Sequence, residues 1–442
     1  MTIKATALIR NRALLPATLL RKVPAILYNE KTAYKEGTMK TTEKLSHGLS
    51  PKRLKNVDAY LQRIVDEGKV AGAAGMIIRR GEEAYCASFG MRDREKKAPL
   101  ENNAIYRIYS MSKTFTIAAA MTLYEKGLFT LRQPIADFIP AFAGAKVAEH
   151  DEKGNVKLVK AKNPITFEHL FTMTSGIPYP GDESYSARAM EEVQKKSVKD
   201  AMKGKPWNTA RMAEEAANVP LCFHPGDHWL YGFSHDILGR LIEVISGKTL
   251  GAYLGETIFK PLGLKDTSFF VPPEKQGRLV KPYRFGPKGL EEIKDMYSDP
   301  ASPEPPAFES GGGGLNSTMA DCARYAQMLL HNGKLGNERI LSRKTIELIR
   351  ARHCTPMEMS SGVFTHLEGY GYGLGVRTML DTAKAGLNSS IGEWAWDGMM
   401  GTWYCVDPAE EMTALFFIQL LSDINSDIQR GFVQTVYSAI DD

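Results

Sequence analysis

The feature that most constrains the fold is the placement of strand-like patterns at both ends of the chain, with helical patterns between them. Apolar runs at residues 73–79 and 84–90, separated by Gly81, predict a β-hairpin. Residues 370–419 alternate apolar and polar side chains, which again predicts strands, whereas residues 165–270 have helical spacing. We therefore predict an α+β fold: one antiparallel sheet flanked by helices and assembled from both chain ends, with an inserted helical domain.

Local signals place the predicted domain boundaries. Ser50 and Pro51 suit the start of a helix, which makes them the expected beginning of the folded part. Residues 271–310 are rich in proline and lack periodicity, so they predict an irregular surface loop. The predicted organisation is a poorly ordered N-terminal extension (residues 1–45), a discontinuous α/β domain (residues 46–165 and 308–442) and a mostly helical domain that includes the Pro-rich loop (residues 166–307).

Composition excludes several classes of protein. The net charge is +5, and the cations after residue 45 are spread along the chain, so we expect no nucleic-acid partner. No apolar run approaches the roughly 18 residues that a membrane span needs. The five cysteines show neither metal-ligand nor redox spacing, which favours reduced thiols and a cytoplasmic location, and we predict no metal and no cofactor. The first 29 residues carry basic but no acidic side chains, which leaves export or organelle targeting open.

One serine, Ser110, is followed three positions later by a lysine, Lys113. Residues at i and i+3 share a helix face, so the amine is expected beside the hydroxyl. Serine is a weak nucleophile until a base accepts its proton, and a desolvated lysine can act as that base. The pattern alone also suits a capping serine and a surface lysine. The apolar residues 118–121 that follow place Lys113 on a buried helix, which favours catalysis.

These residues resemble the S-x-x-K motif that begins the signature of the serine β-lactamase and penicillin-binding protein superfamily. Tyr231 stands where that superfamily has the tyrosine of its second motif, and Gly398 stands where it has the glycine of its third motif. The resemblance covers roughly residues 50–440 and implies a β-lactamase/transpeptidase-like fold. Further matching segments are residues 165–176, 225–231, 235–239, 261–264, 311–318, 393–402 and 406–408.

The resemblance implies a role for each matching residue. Ser110 is the expected nucleophile, and Lys113 and Tyr231 are expected to accept its proton and to deliver it to the leaving alcohol. The backbone amides of Ser110 and Met399 are expected to form the oxyanion hole, because Met399 follows the motif glycine. Water then releases the acyl group.

Departures from the lactamase pattern indicate the branch of the superfamily. Phe233 replaces the asparagine of Tyr-x-Asn, and Trp396-Asp397-Gly398 replaces Lys-Thr-Gly. The cation that attracts a substrate carboxylate is thus replaced, and an acid stands beside the pocket. These features resemble family VIII carboxylesterases and imply hydrolysis of short-chain, uncharged esters with weak β-lactam hydrolysis, although that family usually has Gly where Asp397 stands. We expect the substrate to contact Trp229, Phe233, Trp396, Asp397 and Gly398.

Three alternatives stay open at this point. A β-lactamase or D-amino-acid peptidase would need the carboxylate-binding features that the motifs lack. An acyltransferase would use the same acyl-enzyme and pass the acyl group to an alcohol or amine. A non-catalytic binding protein is disfavoured by the intact Ser110, Lys113 and Tyr231. The expected partner is a small-molecule ester, and the sequence leaves the oligomeric state undetermined.

Overall fold

The central element of the molecule is an eight-stranded sheet that joins the two ends of the chain. This computed structural model describes residues 47–151, 153–181, 183–293, 302, 304–356 and 367–442. The predicted N-terminal extension, residues 1–45, lies outside the described residues. The strands of the described residues are β1 (Gly72–Arg79), β2 (Glu82–Asp93), β3 (Ala98–Pro99), β4 (Ile105–Arg107), β5 (Lys146–His150), β6 (Val156–Lys160), β7 (Tyr283–Gly286), β8 (Gly289–Glu292), β9 (Asn316–Thr318), β10 (Lys334–Leu335), β11 (Glu338–Arg339), β12 (Tyr370–Tyr372), β13 (Arg377–Met379), β14 (Trp394–Ala395), β15 (Trp403–Asp407), β16 (Met412–Phe417) and β17 (Leu420–Leu421). Strand order in the sheet is β12-β13-β14-β15-β16-β1-β2-β3.

The pairing of β1 with β16 brings together an early and a late segment of the described chain. These strands run antiparallel with Ala74 opposite Phe417, and β1 also forms a hairpin with β2. Arg80 and Gly81, which connect the hairpin, have φ of 56° and 79°. Two central residues with positive φ match the right-handed twist of the strands. The prediction of one antiparallel sheet built from both ends is confirmed.

Helices cover both faces of this sheet. On one face, α1 (Pro51–Asp66) and α12 (Asn425–Tyr437) pack against an apolar cluster that includes Ile77 and Phe416. On the other face, α2 (Ser112–Glu125) and α9 (Met319–Leu330) pack against an apolar cluster that includes Met76 and Phe417. Every side chain of α2 from its start to Leu123 is buried, so α2 is the central helix. The helices of the described residues are α1 (Pro51–Asp66), α2 (Ser112–Glu125), α3 (Phe167–Phe171), α4 (Tyr185–Ala201), α5 (Thr209–Ala217), α6 (Ser234–Ser246), α7 (Leu250–Leu254), α8 (Lys260–Leu262), α9 (Met319–Leu330), α10 (Arg343–Arg350), α11 (Thr382–Ala385) and α12 (Asn425–Tyr437).

Two local predictions need correction. Residues 271–310 are not irregular throughout, since β7 and β8 form a hairpin and β17 pairs in parallel with β7. Each of these strands has at most four residues, which is too short to show a clear periodic pattern, and β17, which extends the hairpin, lies far away in sequence. Ser50 stands at the N-cap of α1, but its side chain makes no capping hydrogen bond. The division into a discontinuous α/β domain and a helical domain stays a prediction.

No helix in the described part of the chain combines the length and the apolar character needed to cross a lipid bilayer.

Candidate active site

Ser110 lies in a single 3₁₀ turn, Tyr109–Met111, directly before α2. The residue in front of it, Tyr109, has φ of +40°, a conformation that non-glycine residues rarely adopt. Such strain costs on the order of 1–3 kcal/mol and persists only where the surrounding structure holds it. Tyr109 is buried, which supplies that restraint. The backbone before Ser110 is thus held in one uncommon conformation, as is typical of active sites.

Lys113 lies one helical turn after Ser110 and is fully buried. Its Nζ donates to Ser110 Oγ at 3.1 Å, to the carbonyl oxygen of Gly312 at 2.6 Å and to Tyr179 Oη at 3.2 Å. An ammonium group has three donors, and these three acceptors match them. The structure therefore brings Ser110 and Lys113 together as the i, i+3 spacing predicts.

A buried carboxylate lies at the far end of this hydrogen-bond chain. Tyr179 Oη donates to Asp236 Oδ2 at 3.3 Å, and the amide of Gly312 donates to Asp236 Oδ1 at 3.1 Å. Burial raises the pKa of Asp236, although the positive charge of Lys113 acts in the opposite direction. Neither Tyr179 nor Asp236 is predicted from the sequence as a site residue, because the two residues approach Lys113 from distant segments of the chain and Tyr179 lies in a loop.

The glycine run 311–314 supplies backbone to this chain. A Cβ on Gly312 would lie 2.3 Å from Asp236 Oδ2, so the position requires glycine. The absence of a side chain lets the backbone of this one residue contact both partners: its carbonyl oxygen accepts from Lys113, and its amide donates to Asp236.

Tyr231 lies between Lys113 and Trp396. The Nζ of Lys113 is 4.7 Å from the centroid of the Tyr231 ring, within the range of a cation–π contact. The indole Nε1 of Trp396 donates to Tyr231 Oη at 3.2 Å, and the two rings stack with centroids 5.6 Å apart. The structure thus places the three predicted catalytic side chains in one cluster.

Close packing of Gly398 brings the third motif to the nucleophile. A Cβ at this position would lie 2.5 Å from the carbonyl oxygen of Ile108 and 2.2 Å from Thr402 Oγ1. Only glycine allows that approach. Within the described residues no carbonyl accepts a hydrogen bond from the Met399 amide. This amide is therefore available at the cavity that contains Ser110.

Asp397 is paired with a cation that the sequence analysis did not foresee. Arg377 Nη1 lies 3.2 Å from Asp397 Oδ2, and Arg377 is 3% exposed. The acid that the sequence places beside the pocket is thus one partner of an ion pair, because its charge is balanced by a buried guanidinium from the neighbouring strand β13.

A cavity of about 450 Å³ lies over Ser110, and we call it the catalytic cavity. Trp229, which we expected to contact substrate, does not belong to the described lining: it is 2% exposed and stacks behind Tyr231 at 6.2 Å. The other predicted site residues that line the cavity are Ser110, Tyr231, Phe233, Trp396, Asp397, Gly398 and Met399.

No group of three His, Cys, Asp or Glu side chains among the described residues is arranged to hold a metal ion.

The chain is similar in sequence and in fold to several known proteins. The chain is 29% identical over 375 residues to Protein Rv1367c of Mycobacterium tuberculosis, covering 84% of this chain and 90% of the relative. It is 25% identical over 374 residues to Esterase EstB of Burkholderia gladioli, covering 81% and 88%. The solved structure of EstCE1, described as a hydrolase with promiscuous acyltransferase activity, superposes with a TM-score of 0.73 at 23% identity and covers 87% of this chain and 98% of EstCE1.

The predicted fold is confirmed by that superposition. The Beta-lactamase family model matches residues 57–433, which contain every residue of the predicted site. The chain therefore belongs to the β-lactamase family.

Proposed function

We propose that this protein is a serine carboxylesterase that hydrolyses uncharged carboxylic esters through an acyl-enzyme on Ser110. The observation that carries the proposal is the 3.1 Å contact between Lys113 Nζ and Ser110 Oγ at the edge of a cavity lined by the other motif residues. Similarity to an esterase, EstB, over most of both chains supports it. It agrees with the enzyme class that the sequence predicts.

In the first half of the reaction Ser110 Oγ attacks the ester carbonyl. The hydroxyl proton passes to the pair formed by Lys113 and Tyr231 in the form in which one of the two has given up its own proton, and the carbonyl oxygen becomes an oxyanion. The bond from the carbonyl carbon to the alcohol oxygen then breaks, and the same pair returns the proton to the departing alcohol. In the second half water attacks the acyl-enzyme and regenerates Ser110 by the same transfers.

The amides of Ser110 and Met399 are proposed to donate to the oxyanion. Fixed donors at the position where negative charge develops stabilise the transition state more than the ground state. The uncommon backbone conformation at Tyr109 and the tight contact of Gly398 with Ile108 hold the two amides in place before substrate binds.

The preference for uncharged substrates follows from the charges around the cavity. The charged side chains in its described lining are Asp236, Asp397 and Asp423, all of them acidic. No cation belongs to the described lining to attract a substrate carboxylate, because Lys113 and Arg377 lie behind it and Arg377 is paired with Asp397. This disfavours the β-lactamase and peptidase alternatives.

Hydrolysis assays on the wild type and on S110A test the proposal. We expect turnover of p-nitrophenyl butyrate by the wild type, slow or no turnover of nitrocefin and benzylpenicillin, and loss of at least about 10⁴-fold in kcat for S110A. The control variant S438A makes the same change at an exposed serine that directly follows α12, and it should retain activity. Faster turnover of the lactams than of the ester would contradict the proposal. Product analysis with 1-butanol present separates hydrolysis from acyl transfer.

We also propose a cytoplasmic location. The buried thiols of Cys322 and Cys405 support it, since such thiols persist in a reducing compartment. Cell fractionation tests it, and recovery of the protein in an exported fraction would contradict it.

A further inference from the structure

A second cavity of about 560 Å³ lies beside the catalytic cavity, and we call it the apolar chamber. Its described lining contains one charged residue, Glu304, and is otherwise apolar or uncharged. The walls come from α4, α5, the loop between them and the end of the Pro-rich loop.

Three aromatic side chains border both cavities, and we call Tyr179, Phe233 and Phe308 the aromatic collar. Phe233 and Phe308 stack with centroids 6.2 Å apart, and Tyr179 meets Phe233 edge to face at 6.0 Å. Phe233 is the residue that stands in place of the motif asparagine, so the departure from the lactamase pattern lies at this border. The two cavities therefore share this border, and the chamber is the apolar space on the other side of the collar from Ser110.

The walls of the chamber are already held in place without a ligand. Met190 and Trp207 are each 3% exposed. The indole Nε1 of Trp207 donates to Asp200 Oδ2 at 2.9 Å, and the guanidinium carbon of Arg211 lies 4.4 Å from the centroid of the indole. The polar edge of Trp207 is thus satisfied by Asp200, and the wall needs no rearrangement to accept an apolar group.

On the strength of the proposed esterase function, we propose that the apolar chamber binds one bulky apolar arm of the ester substrate. A cavity of this size suits a drug-sized group, whereas an acetyl or butyryl ester would leave its apolar walls facing water. Burial of each methylene is worth up to about fourfold in binding. The sequence predicts a preference for short acyl chains. That preference is compatible with this inference when the bulky arm is the alcohol part of the ester.

Two ester series identify the arm that enters the chamber. The first varies the acyl chain from acetate to decanoate as p-nitrophenyl esters, and the second varies the alcohol from ethyl to decyl as acetates, followed by titration of released acid. We expect kcat/KM to rise about tenfold or more along one series. A rise of kcat/KM along the first series means that the acyl arm enters the chamber, and a rise along the second series means that the alcohol arm does. Either result supports the inference if the variants described below reduce the rise.

The variants S197F and V193F narrow the chamber from α4. Ser197 and Val193 are half-buried in its wall, whereas Lys199 is exposed on the same helix and does not belong to the lining. S197F and V193F should each reduce the rise along the series by about tenfold, and K199F should preserve it. Having two narrowing variants keeps the test valid if one of them fails to fold, which circular dichroism will show. A flat response in both series, or a rise that both narrowing variants preserve, would overturn the inference.

A binding experiment separates failure of the chamber from failure of the esterase proposal. If the wild type hydrolyses no ester, the esterase proposal fails, and calorimetric titration with 2-dodecanone, an unreactive ketone with one long apolar arm, tests the chamber alone. Binding that S197F weakens about tenfold, with no binding of 2-butanone, supports the chamber. Absence of 2-dodecanone binding overturns it.

Discussion

The two sides of the catalytic cavity hold a tyrosine hydroxyl in different ways. On the lysine side, which comprises Lys113, Tyr179 and Asp236, the hydroxyl lies between a buried ammonium group and a buried carboxylate. On the tryptophan side, which comprises Tyr231 and Trp396, the hydroxyl accepts from a neutral indole, and the ring faces the ammonium group of Lys113.

The difference favours Tyr231 over Tyr179 as the proposed proton shuttle. The Tyr179 hydroxyl bridges a buried lysine and a buried carboxyl group, so moving its proton would disturb both hydrogen bonds, and its suitable role is to position Lys113. The Tyr231 hydroxyl has a neutral donor as its partner, which can stabilise additional negative charge on the oxygen while a proton leaves. We therefore treat Tyr231 as the proton shuttle and Tyr179 as a positioning residue.

The variant K113M should have the largest effect, because it removes the cation that both sides share. We expect kcat to fall by about 10³- to 10⁴-fold on p-nitrophenyl butyrate. The control K126M changes an exposed lysine just after α2 and should retain wild-type activity. Retention of more than about a tenth of the wild-type kcat in K113M would rule out Lys113 as part of the proton-transfer pair.

The pair Y231F and Y179F compares the two sides directly. We expect Y231F to lower kcat by about 10²- to 10³-fold and Y179F by only about tenfold, since the first removes the shuttle and the second loosens Lys113. Steady-state kinetics across a pH range add a second readout, because a positioning role predicts a changed pH profile in Y179F. If kcat fell further in Y179F than in Y231F, Tyr179 would be the proton shuttle and Tyr231 the positioning residue.

The variant W396F removes the indole donor and keeps an aromatic ring against Tyr231. A net hydrogen bond is worth about 0.5–1.5 kcal/mol, so we expect kcat to fall by about three- to tenfold while KM changes little. A change confined to KM would mean instead that Trp396 contacts the substrate without supporting Tyr231.

The variant E393Q tests how the protonation of a buried carboxyl group, that of Glu393, affects the folding stability of the protein. Glu393 is 2% exposed, and burial raises its pKa to about 7, with the charge of Arg377 acting in the opposite direction. The pKa of Glu393 is near 4.5 in the unfolded chain and about 7 in the folded protein. At a pH between these two values, the unfolded chain has lost the carboxyl proton that the folded protein keeps. Folding stability therefore falls as pH rises through this window, by up to about 1.4 kcal/mol per pH unit.

Replacement by glutamine removes that dependence. In urea unfolding at about pH 5 and pH 8, E393Q should lose about 1–3 kcal/mol less stability than the wild type between the two conditions. An identical loss in both proteins would show that Glu393 is already ionised in the folded state at pH 5.

Local features of the chain were sufficient to predict part of the site. Ser110 and Lys113 are three residues apart, and helical geometry brings them together whatever surrounds the helix. The strand patterns at both chain ends predicted the sheet, since period-two alternation depends on neighbouring residues alone. The family resemblance added Tyr231, Met399 and Trp396, and the family match confirms the resemblance itself.

The remaining features were decided by tertiary structure. Tyr179 contacts Lys113 and Asp236 from a loop, Arg377 neutralises Asp397 from a neighbouring strand, and Trp229 packs behind Tyr231 although its sequence position suggested the cavity wall. Each of these contacts joins residues whose approach depends on how whole elements pack. What the sequence determined by itself is therefore the approach of Lys113 to Ser110 and the order of the elements, because these rest on local backbone geometry. The catalytic roles of the two residues stay predictions. Which charges are compensated and which side chains reach the substrate depends on close packing between distant segments, and this packing exists only in the folded chain.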